Sequence, residues 1–148
     1  MTRRSRGREV ALQMLFQREH NAVTDRAALE RFVTDRVNEE PLRKFCWFLY
    51  DGVVAQLADL DAKISAAAEN WRIARMPTVD RNIIRLGAFE LLFMKDTPAA
   101  VAFDEAIELA RRYGTADSSA FVNGVLDRLR REANPGAPEQ ESGVKAED

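Results

Sequence analysis

The amino-acid sequence predicts an all-α protein, a compact bundle of six to seven helices. Apolar residues recur with helical spacing from Arg8 to Leu129. No segment combines sustained period-two alternation with hairpin turns, so no sheet is expected. The stretch TVDRNIIRLGAFELLFM, residues 78–94, is apolar on nearly all sides of a helix, which is typical of a helix surrounded by neighbours. The bundle is therefore expected to be organised around this segment.

The first three helices precede that central segment. The spacing predicts a first helix that ends near Glu19. Gly7 weakens its first turn, so residues 1–8 are expected to form an arm. Asp25 and Pro41 are residue types suited to begin the second and third helices. The third helical pattern continues with a break or kink to about residue 71.

Two amphipathic helices follow the central segment. One begins after Pro98 and ends at Gly114, and the other begins after Asp117 or Ser118 and ends near Glu132. The tail, residues 134–148 (NPGAPEQESGVKAED), is acidic and lacks large apolar side chains, so it is expected to be disordered. Residues 1–133 are expected to form the folded domain.

Within the central helix, Gly87 and Arg85 are the unusual residues. Glycine lowers helix stability by about 1 kcal/mol relative to alanine in a helix interior, and a glycine there usually allows another helix to approach closely. Arg85 and Glu90 lie in an apolar wall where an unpaired charge is costly. A structural ion pair is the favoured interpretation of these charges, and a ligand-binding role is the alternative.

The composition indicates one cytoplasmic domain with a basic end. A chain of 148 residues with 46% hydrophobic content can bury one core. It has no apolar run that would span a bilayer and no signal-peptide pattern. The net charge is −2, yet Arg3, Arg4, Arg6 and Arg8 make the N-terminus locally basic.

Neither catalytic residues nor a cofactor or metal site can be assembled from the sequence. His20 is the only histidine and lies at a predicted helix end, where a solvated side chain is expected. Cys46 is the only cysteine and is expected to be a buried small hydrophobe. No glycine-rich phosphate loop or metal-ligand cluster is present. The residues alone therefore indicate a helical binding protein, not an enzyme.

Three motifs, in this order, carry a family resemblance. They are RRSRGREVALQMLFQ at the start, NW followed by RMPTVDRNIIRLGAFELL in the middle, and AFDEAIELARRYGTADSSAFVNGVLDRL near the end. With them the chain resembles the NusB family of transcription antitermination factors. The resemblance implies two helical sub-bundles, at about residues 9–72 and 77–133. It also implies binding of boxA-type single-stranded RNA of ribosomal RNA transcripts, together with the small-subunit ribosomal protein NusE, and action on RNA polymerase.

The resemblance suggests roles for two sets of residues. Arginines would bind phosphates and an exposed aromatic ring would stack on a base. The free N–H groups at the start of the last helix are suited to phosphates or base edges. The RNA-binding set is Arg3, Arg4, Arg6, Arg8, Ser118 and Phe121, and the partner-binding set is Phe16 and Asp80. Phe121 could instead belong to the core, and Phe16 could be a core residue or a border anchor. Asp80 could simply be an acidic residue favoured in a first helical turn.

Four departures from the family pattern concern these roles. Gly7 stands where Ala is common, Phe16 where Tyr is common, and Asp104 where Asn is common. Ala120 stands where a lysine or another polar residue is frequent, which removes a possible phosphate contact. Three alternatives remain: an adaptor without RNA binding, the N-terminal domain of an RNA cytosine methyltransferase, and a helix-turn-helix DNA-binding protein.

Overall fold

The computed structural model describes residues 2–21, 25–69 and 71–135, and within these ranges it contains seven α-helices, one short 3₁₀ helix and no strand. The α-helices are α1 (Arg3–His20), α2 (Arg26–Arg36), α3 (Glu40–Ala55), α4 (Leu57–Ala67), α5 (Thr78–Phe93), α6 (Ala99–Tyr113) and α7 (Ser118–Ala133). The 3₁₀ helix spans Ile73–Arg75. The predicted all-α class and helix number are confirmed. Of the predicted disordered tail, residues 136–148 lie outside the described residues.

The chain divides into two compact units, residues 1–55 and residues 56–148. The division lies at the predicted break in the third helical pattern, between α3 and α4. The sequence-based boundary near residues 72–77 differs from this division, because α4 packs against α5 and α7 and so belongs to the second unit. Helical periodicity reports which face of α4 is buried and does not identify the helix that covers it.

The first unit is built on α1, which packs against α3 and α2. Cys46 is fully buried there, as predicted, and burial raises the pKa of its thiol to about 11, so the thiol stays protonated at neutral pH. The buried residues of this core come from all three helices: Val10, Met14, Leu29, Val33, Val37 and Cys46.

The predicted N-terminal arm is helical instead, because α1 already begins at Arg3. Thr2 caps the helix, its side chain accepting a hydrogen bond from the Ser5 N–H at 3.0 Å. Gly7 is buried, and a Cβ added there would lie 2.6 Å from Cδ2 of Phe45. The glycine therefore allows α1 to pack closely against α3, and this packing outweighs its low helix propensity.

The second unit is built on α5, the predicted central helix. It packs against α4, α6 and α7, and residues 82–90 are buried without interruption. A Cβ added at Gly87 would lie 2.8 Å from Cδ1 of Leu126 and 3.5 Å from Cβ of Ala106. The predicted close approach at Gly87 is therefore confirmed, with the Leu126 side chain of α7 and the Ala106 Cβ of α6 filling the space beside it.

Arg85 forms a structural ion pair, as favoured from the sequence, but with a partner on α4 where the prediction had placed the pair within the core helix. Its Nε and Nη2 donate to the two carboxylate oxygens of Asp61 on α4, at 2.9 and 2.8 Å. Its Nη1 donates to Oδ1 of Asn82 at 3.0 Å. This bidentate geometry satisfies a guanidinium that would be costly to bury alone.

None of the helices in the described part of the chain combines the length and apolar character that crossing a bilayer requires.

Gly87 and Gly124 allow a matched test of this packing. Both are glycines inside a helix, but a Cβ at Gly124 would meet no heavy atom within 4 Å. Gly124→Ala should raise the free energy of unfolding by about 0.5–1 kcal/mol, the gain in helix propensity. Gly87→Ala gains the same propensity but overpacks the core, so it should be less stable than Gly124→Ala by about 1–3 kcal/mol. Urea unfolding measures both variants, and equal stabilities would contradict the close approach.

Candidate nucleic-acid and partner interface

Arg3 and Arg4 are the accessible arginines of the predicted RNA-binding set. Both are exposed in the first turn of α1. Arg3 forms an ion pair with Glu39, and the Arg4 guanidinium lies over the Phe45 ring, 4.5 Å from its centroid. An exposed ion pair contributes little to stability, so phosphate could replace Glu39 as the partner of Arg3. The aromatic contact of Arg4 leaves its charge available.

Arg6 and Arg8 are more deeply placed. Arg6 donates to the carboxylate of Glu9, whose side chain is largely buried, and to the backbone oxygen of Arg36 at 3.4 Å. Arg8 is only 3% exposed, and its guanidinium lies 5.6 Å from the centroid of the Phe45 ring. Helical geometry separates the four arginines into an accessible pair and an engaged pair, and the RNA-binding role of the engaged pair stays a prediction.

Phe16 lies at the border of the packed face of α1. Its side chain is 38% exposed, whereas Leu15 is buried. Its ring centroid is 4.2 Å from that of His20, one helical turn later, with the rings tilted by 32°. A core role for Phe16 is therefore wrong, because the side chain is exposed. Its role as an anchor for a partner stays a prediction.

The structure brings Asp80 and Ser118 together in the second unit. Asp80, in the first turn of α5, is 6% exposed and accepts a 2.8 Å hydrogen bond from the Ser118 hydroxyl. Ser118, the first residue of α7, is 2% exposed, and its Oγ accepts a 2.9 Å bond from the Thr115 N–H. The two residues tie the start of α7 to α5. Direct contact with RNA or with a partner stays a prediction for both.

Phe121 is half-buried beside Trp71, a residue that the sequence analysis did not select. The two rings pack edge to face, with centroids 5.8 Å apart and an angle of 66° between the ring planes. The signals in the sequence were the NW pair of the family motif and a tryptophan in the connection between two helices, where a core role had no helical phase to support it. Phe121 therefore combines partial packing with partial exposure.

The aromatic pair separates two concave regions of the second unit. We call the first the α4–α7 groove; it has a volume of about 270 Å³ and is bordered by Ala68, Gly124 and Arg128. The second is the α5–α7 cavity, of about 220 Å³, which Asp80 and Ser118 line. Trp71 and Phe121 line both the groove and the cavity, so the two rings present surface to both.

The family profile and the similar proteins of known sequence all point to one family. The chain matches the sequence profile of the NusB family over residues 5–131. Transcription antitermination protein NusB of Sorangium cellulosum is 46% identical over 129 residues, which is 87% of this chain and 92% of that protein. The prediction that the chain is not an enzyme is confirmed, because the match is to a family of transcription factors.

Two solved structures share the fold. T. maritima NusB superposes with a TM-score of 0.79 at 38% identity, covering 89% of this chain and 92% of that one. A chain in a structure of antitermination factors NusB and NusE in complex with dsRNA has a TM-score of 0.80 at 24% identity, covering 89% of this chain and 98% of that one. The second likeness concerns the fold alone.

The Asp80–Ser118 hydrogen bond makes a stability prediction. Ser118→Ala removes the hydroxyl that donates to a buried carboxylate, so the free energy of unfolding should fall by about 1–3 kcal/mol. In a double-mutant cycle with Asp80→Ala, the two losses should be non-additive, with a coupling of about 1 kcal/mol or more. Ser119→Ala, at the next and less buried position, is the control and should change little. Additive losses would show that the bond does not couple α5 to α7.

Proposed function

This chain belongs to the NusB family, and we propose that it acts in transcription antitermination by binding boxA-type single-stranded RNA together with the ribosomal protein NusE. The resulting complex acts on RNA polymerase during transcription of ribosomal RNA, in the cytoplasm. The observation that carries the proposal is the accessible arginine pair at the start of α1 in a chain of this family.

The chemistry of the first unit suits an RNA backbone. Arg3 and Arg4 offer two guanidinium groups from successive positions of a capped helix, so their backbone is ordered before RNA arrives. Arginine binds phosphate through paired N–H donors, and each contact releases counterions from the RNA. Ordered arginines lose less conformational freedom on binding than those of a mobile arm, which favours affinity.

The chemistry of the second unit suits bases and indirect positioning. Phe121 offers partly exposed ring surface, and aromatic rings stack on unpaired bases in single-stranded RNA. Ser118 and Asp80 support this role through their mutual hydrogen bond, which fixes the first turn of α7. We assign them to positioning Phe121, in addition to any contact with RNA or NusE at the mouth of the α5–α7 cavity.

Phe16 supports the proposed contact with NusE. An exposed phenyl ring at the border of a packed helix face is the kind of residue that anchors a protein interface. Its contact with His20 restrains the ring without covering it. The family resemblance assigns the partner surface to the same position.

An adaptor that binds the protein partner but no RNA is the second candidate. The observations that favour it are the burial of Arg8 and Ser118 and the presence of Ala120 where a polar residue is frequent. The two candidates differ in one measurable property, the salt-dependent affinity for boxA-type RNA.

The arginine pair tests the RNA-binding role. Replacing Arg3 and Arg4 together by alanine should weaken binding to a boxA-type single-stranded RNA oligonucleotide. It should reduce the slope of log affinity against log salt by about 1.4, which is roughly 0.7 for each lost contact with single-stranded RNA. Thermal stability should stay nearly constant, because both side chains are exposed. The affinity is measured by fluorescence anisotropy at several salt concentrations, with and without NusE.

Arg18 and Arg31 provide the matched control. Both are exposed arginines of the first unit, on α1 and α2. Their replacement by alanine changes the net charge equally but should leave the salt slope unchanged. If the Arg3/Arg4 and Arg18/Arg31 double variants lose equal affinity for RNA, the chain attracts RNA only through its net charge. If the wild-type chain binds no boxA-type RNA even with NusE, the adaptor function is correct.

Phe16→Ala tests the partner surface. The free energy of unfolding should fall by less than the roughly 3–5 kcal/mol expected for truncating a buried phenylalanine, because the ring is exposed. The affinity for NusE should fall by about 2 kcal/mol or more if the ring is an interface anchor. Denaturant unfolding and titration calorimetry measure the two effects separately.

Leu12→Ala is the control for a core position on the same helix, since Leu12 is buried. It should cost about 2–5 kcal/mol of stability while the folded fraction binds NusE normally. Phe16→Ala binding NusE as tightly as the wild-type chain would reject the anchor role.

A further inference from the structure

The face of Trp71 that borders the α4–α7 groove is unusually open. Trp71 is 53% exposed, although its indole packs edge to face on Phe121. Because the exposed indole adjoins the half-buried Phe121 ring, the two leave a contiguous apolar area in water, which is typical of a binding site. The groove therefore offers ring surface next to Phe121, the aromatic residue assigned to RNA binding.

Small side chains keep this groove open. Its walls include Ala67 and Ala68 at the end of α4, and Ala120 and Gly124 on α7. A Cβ added at Gly124 would meet no heavy atom within 4 Å, so helix packing does not require a glycine at this position. At about 270 Å³, the groove is smaller than typical sites for drug-sized ligands, which are about 300–1,000 Å³. A single planar ring system matches this size.

The rim of the groove is polar and weakly held. Nη1 of Arg128 lies 2.8 Å from the Glu69 carboxylate and donates to the Ala67 backbone oxygen at 3.4 Å. Both side chains of the ion pair are substantially exposed, so exchanging it for a ligand costs little. Glu69 offers hydrogen-bond acceptors and Arg128 offers donors, the combination that the edge of a nucleobase requires. An apolar side chain of a protein partner would leave this rim unmatched.

Trp71 is held in position before any ligand binds. Its backbone N–H donates to the Ala68 oxygen at 2.7 Å. The segment that follows is tied to α5, since Nη1 of Arg81 donates to the backbone oxygens of Ile73 and Met76 at 3.1 and 3.0 Å. An ordered indole loses little conformational entropy on stacking.

Positive charge lies on the same segment as the indole. Arg72 and Arg75 are both exposed and follow Trp71 within four residues. A nucleotide stacked on the indole would have phosphates on either side of its base, and these arginines are the nearest cations along the chain. A stacking ring, a donor–acceptor rim and adjacent cations all suit one nucleotide of a single strand.

We propose that the α4–α7 groove is a subsite for one nucleobase of single-stranded RNA, which stacks on the indole of Trp71 and bonds the Glu69–Arg128 rim. This inference rests on the proposed RNA-binding function and adds a second stacking residue beside Phe121. Gly124 has a specificity role in this site, because it leaves space for the base.

Tryptophan fluorescence tests the stacking directly. The chain has two tryptophans, so Trp71 is the only one left in a Trp47→Phe variant. Addition of a boxA-type single-stranded RNA oligonucleotide should quench the Trp71 emission. The midpoint should equal that of fluorescence anisotropy with the same RNA carrying a terminal fluorescein. Tight binding by anisotropy without a change in Trp71 emission would overturn the proposal.

Filling the groove tests its occupancy without removing the indole. Gly124→Leu should lower the RNA affinity about tenfold, a loss within the range for one base stack, and should abolish the quenching. Ala62→Leu is the matched control, because it adds the same side chain at an exposed position of α4 outside the groove residues. The control should bind RNA like the wild-type chain. Circular dichroism melting verifies that both variants are folded.

Abasic substitution identifies the base. RNA affinity is measured with oligonucleotides that carry one abasic nucleotide, placed at each position in turn. At one position the abasic nucleotide should lower the affinity of the wild-type chain about tenfold. At that same position it should leave the affinity of the Trp71→Ala variant equal to its affinity for the intact RNA. Equal losses in both proteins at every position would overturn the subsite, while salt-dependent RNA binding would still support the proposed function. RNA affinity unchanged in Gly124→Leu with a loss of NusE affinity would assign the groove to the protein partner instead. Absence of RNA binding by the wild-type chain would overturn both proposals.

Discussion

The close approach of α7 to α5 is the constraint on which the second unit depends. At Gly87 the side chain of Leu126 occupies the space that any other residue's Cβ would need. About two turns earlier on each helix, the Asp80–Ser118 hydrogen bond joins the first turns of the same pair. Two contacts along one helix pair fix both the distance between the helices and their register. The position of Phe121, one turn into α7, follows from them.

The two units offer different chemistry to a nucleic acid. The first unit presents cations from the start of α1, where Arg3 and Arg4 are exposed and Gly7 lets the helix pack on α3. The second unit presents ring surface from Trp71 and Phe121. Phosphate contacts supply affinity that does not depend on sequence, whereas stacked and hydrogen-bonded bases supply selection. A chain with a net charge of −2 can therefore bind RNA, because its positive charge is concentrated at one end.

Several buried polar groups serve the packing of the two units. Asp80 and Ser118 satisfy each other, and the Cys46 thiol has its pKa raised to about 11 by burial. Asp61 and Arg85 are bound to one another in a bidentate pair. These polar side chains hold helices together. Their hydrogen bonds contribute to the position of the surface residues.

Local periodicity was sufficient to predict an all-α bundle of six to seven helices, the burial of α5 and the border position of Phe16. These properties depend on the angular distribution of side chains about one helix, which the sequence contains. The unit boundary and the Asp80–Ser118 bond could not be predicted in this way, because both depend on contacts between residues that are distant in sequence. Arg85 and Asp61, which join α5 to α4, are 24 positions apart. Ser118 and Asp80, which join α7 to α5, are 38 positions apart.

The arginines and Trp71 show a second limit of prediction from the sequence. The predicted arm was wrong because the value of Gly7 lies in the contact with Phe45, on another helix. Arg8 follows the phase of the packed face, but its long aliphatic stem allows either a buried or an exposed charge. Trp71 lies in a connection without periodicity, so nothing in the local pattern indicated that it would meet Phe121.

A nuclear magnetic resonance titration of the isotopically labelled chain with boxA-type single-stranded RNA shows whether the start of α1 and the aromatic pair of the second unit both contact the RNA. Concentrated shift changes are expected at the amides of residues 3–8, at the indole N–H of Trp71 and at the amides of residues 117–124. Shift changes confined to α2, or an absence of changes at both predicted regions with saturating RNA, would contradict the proposed contacts.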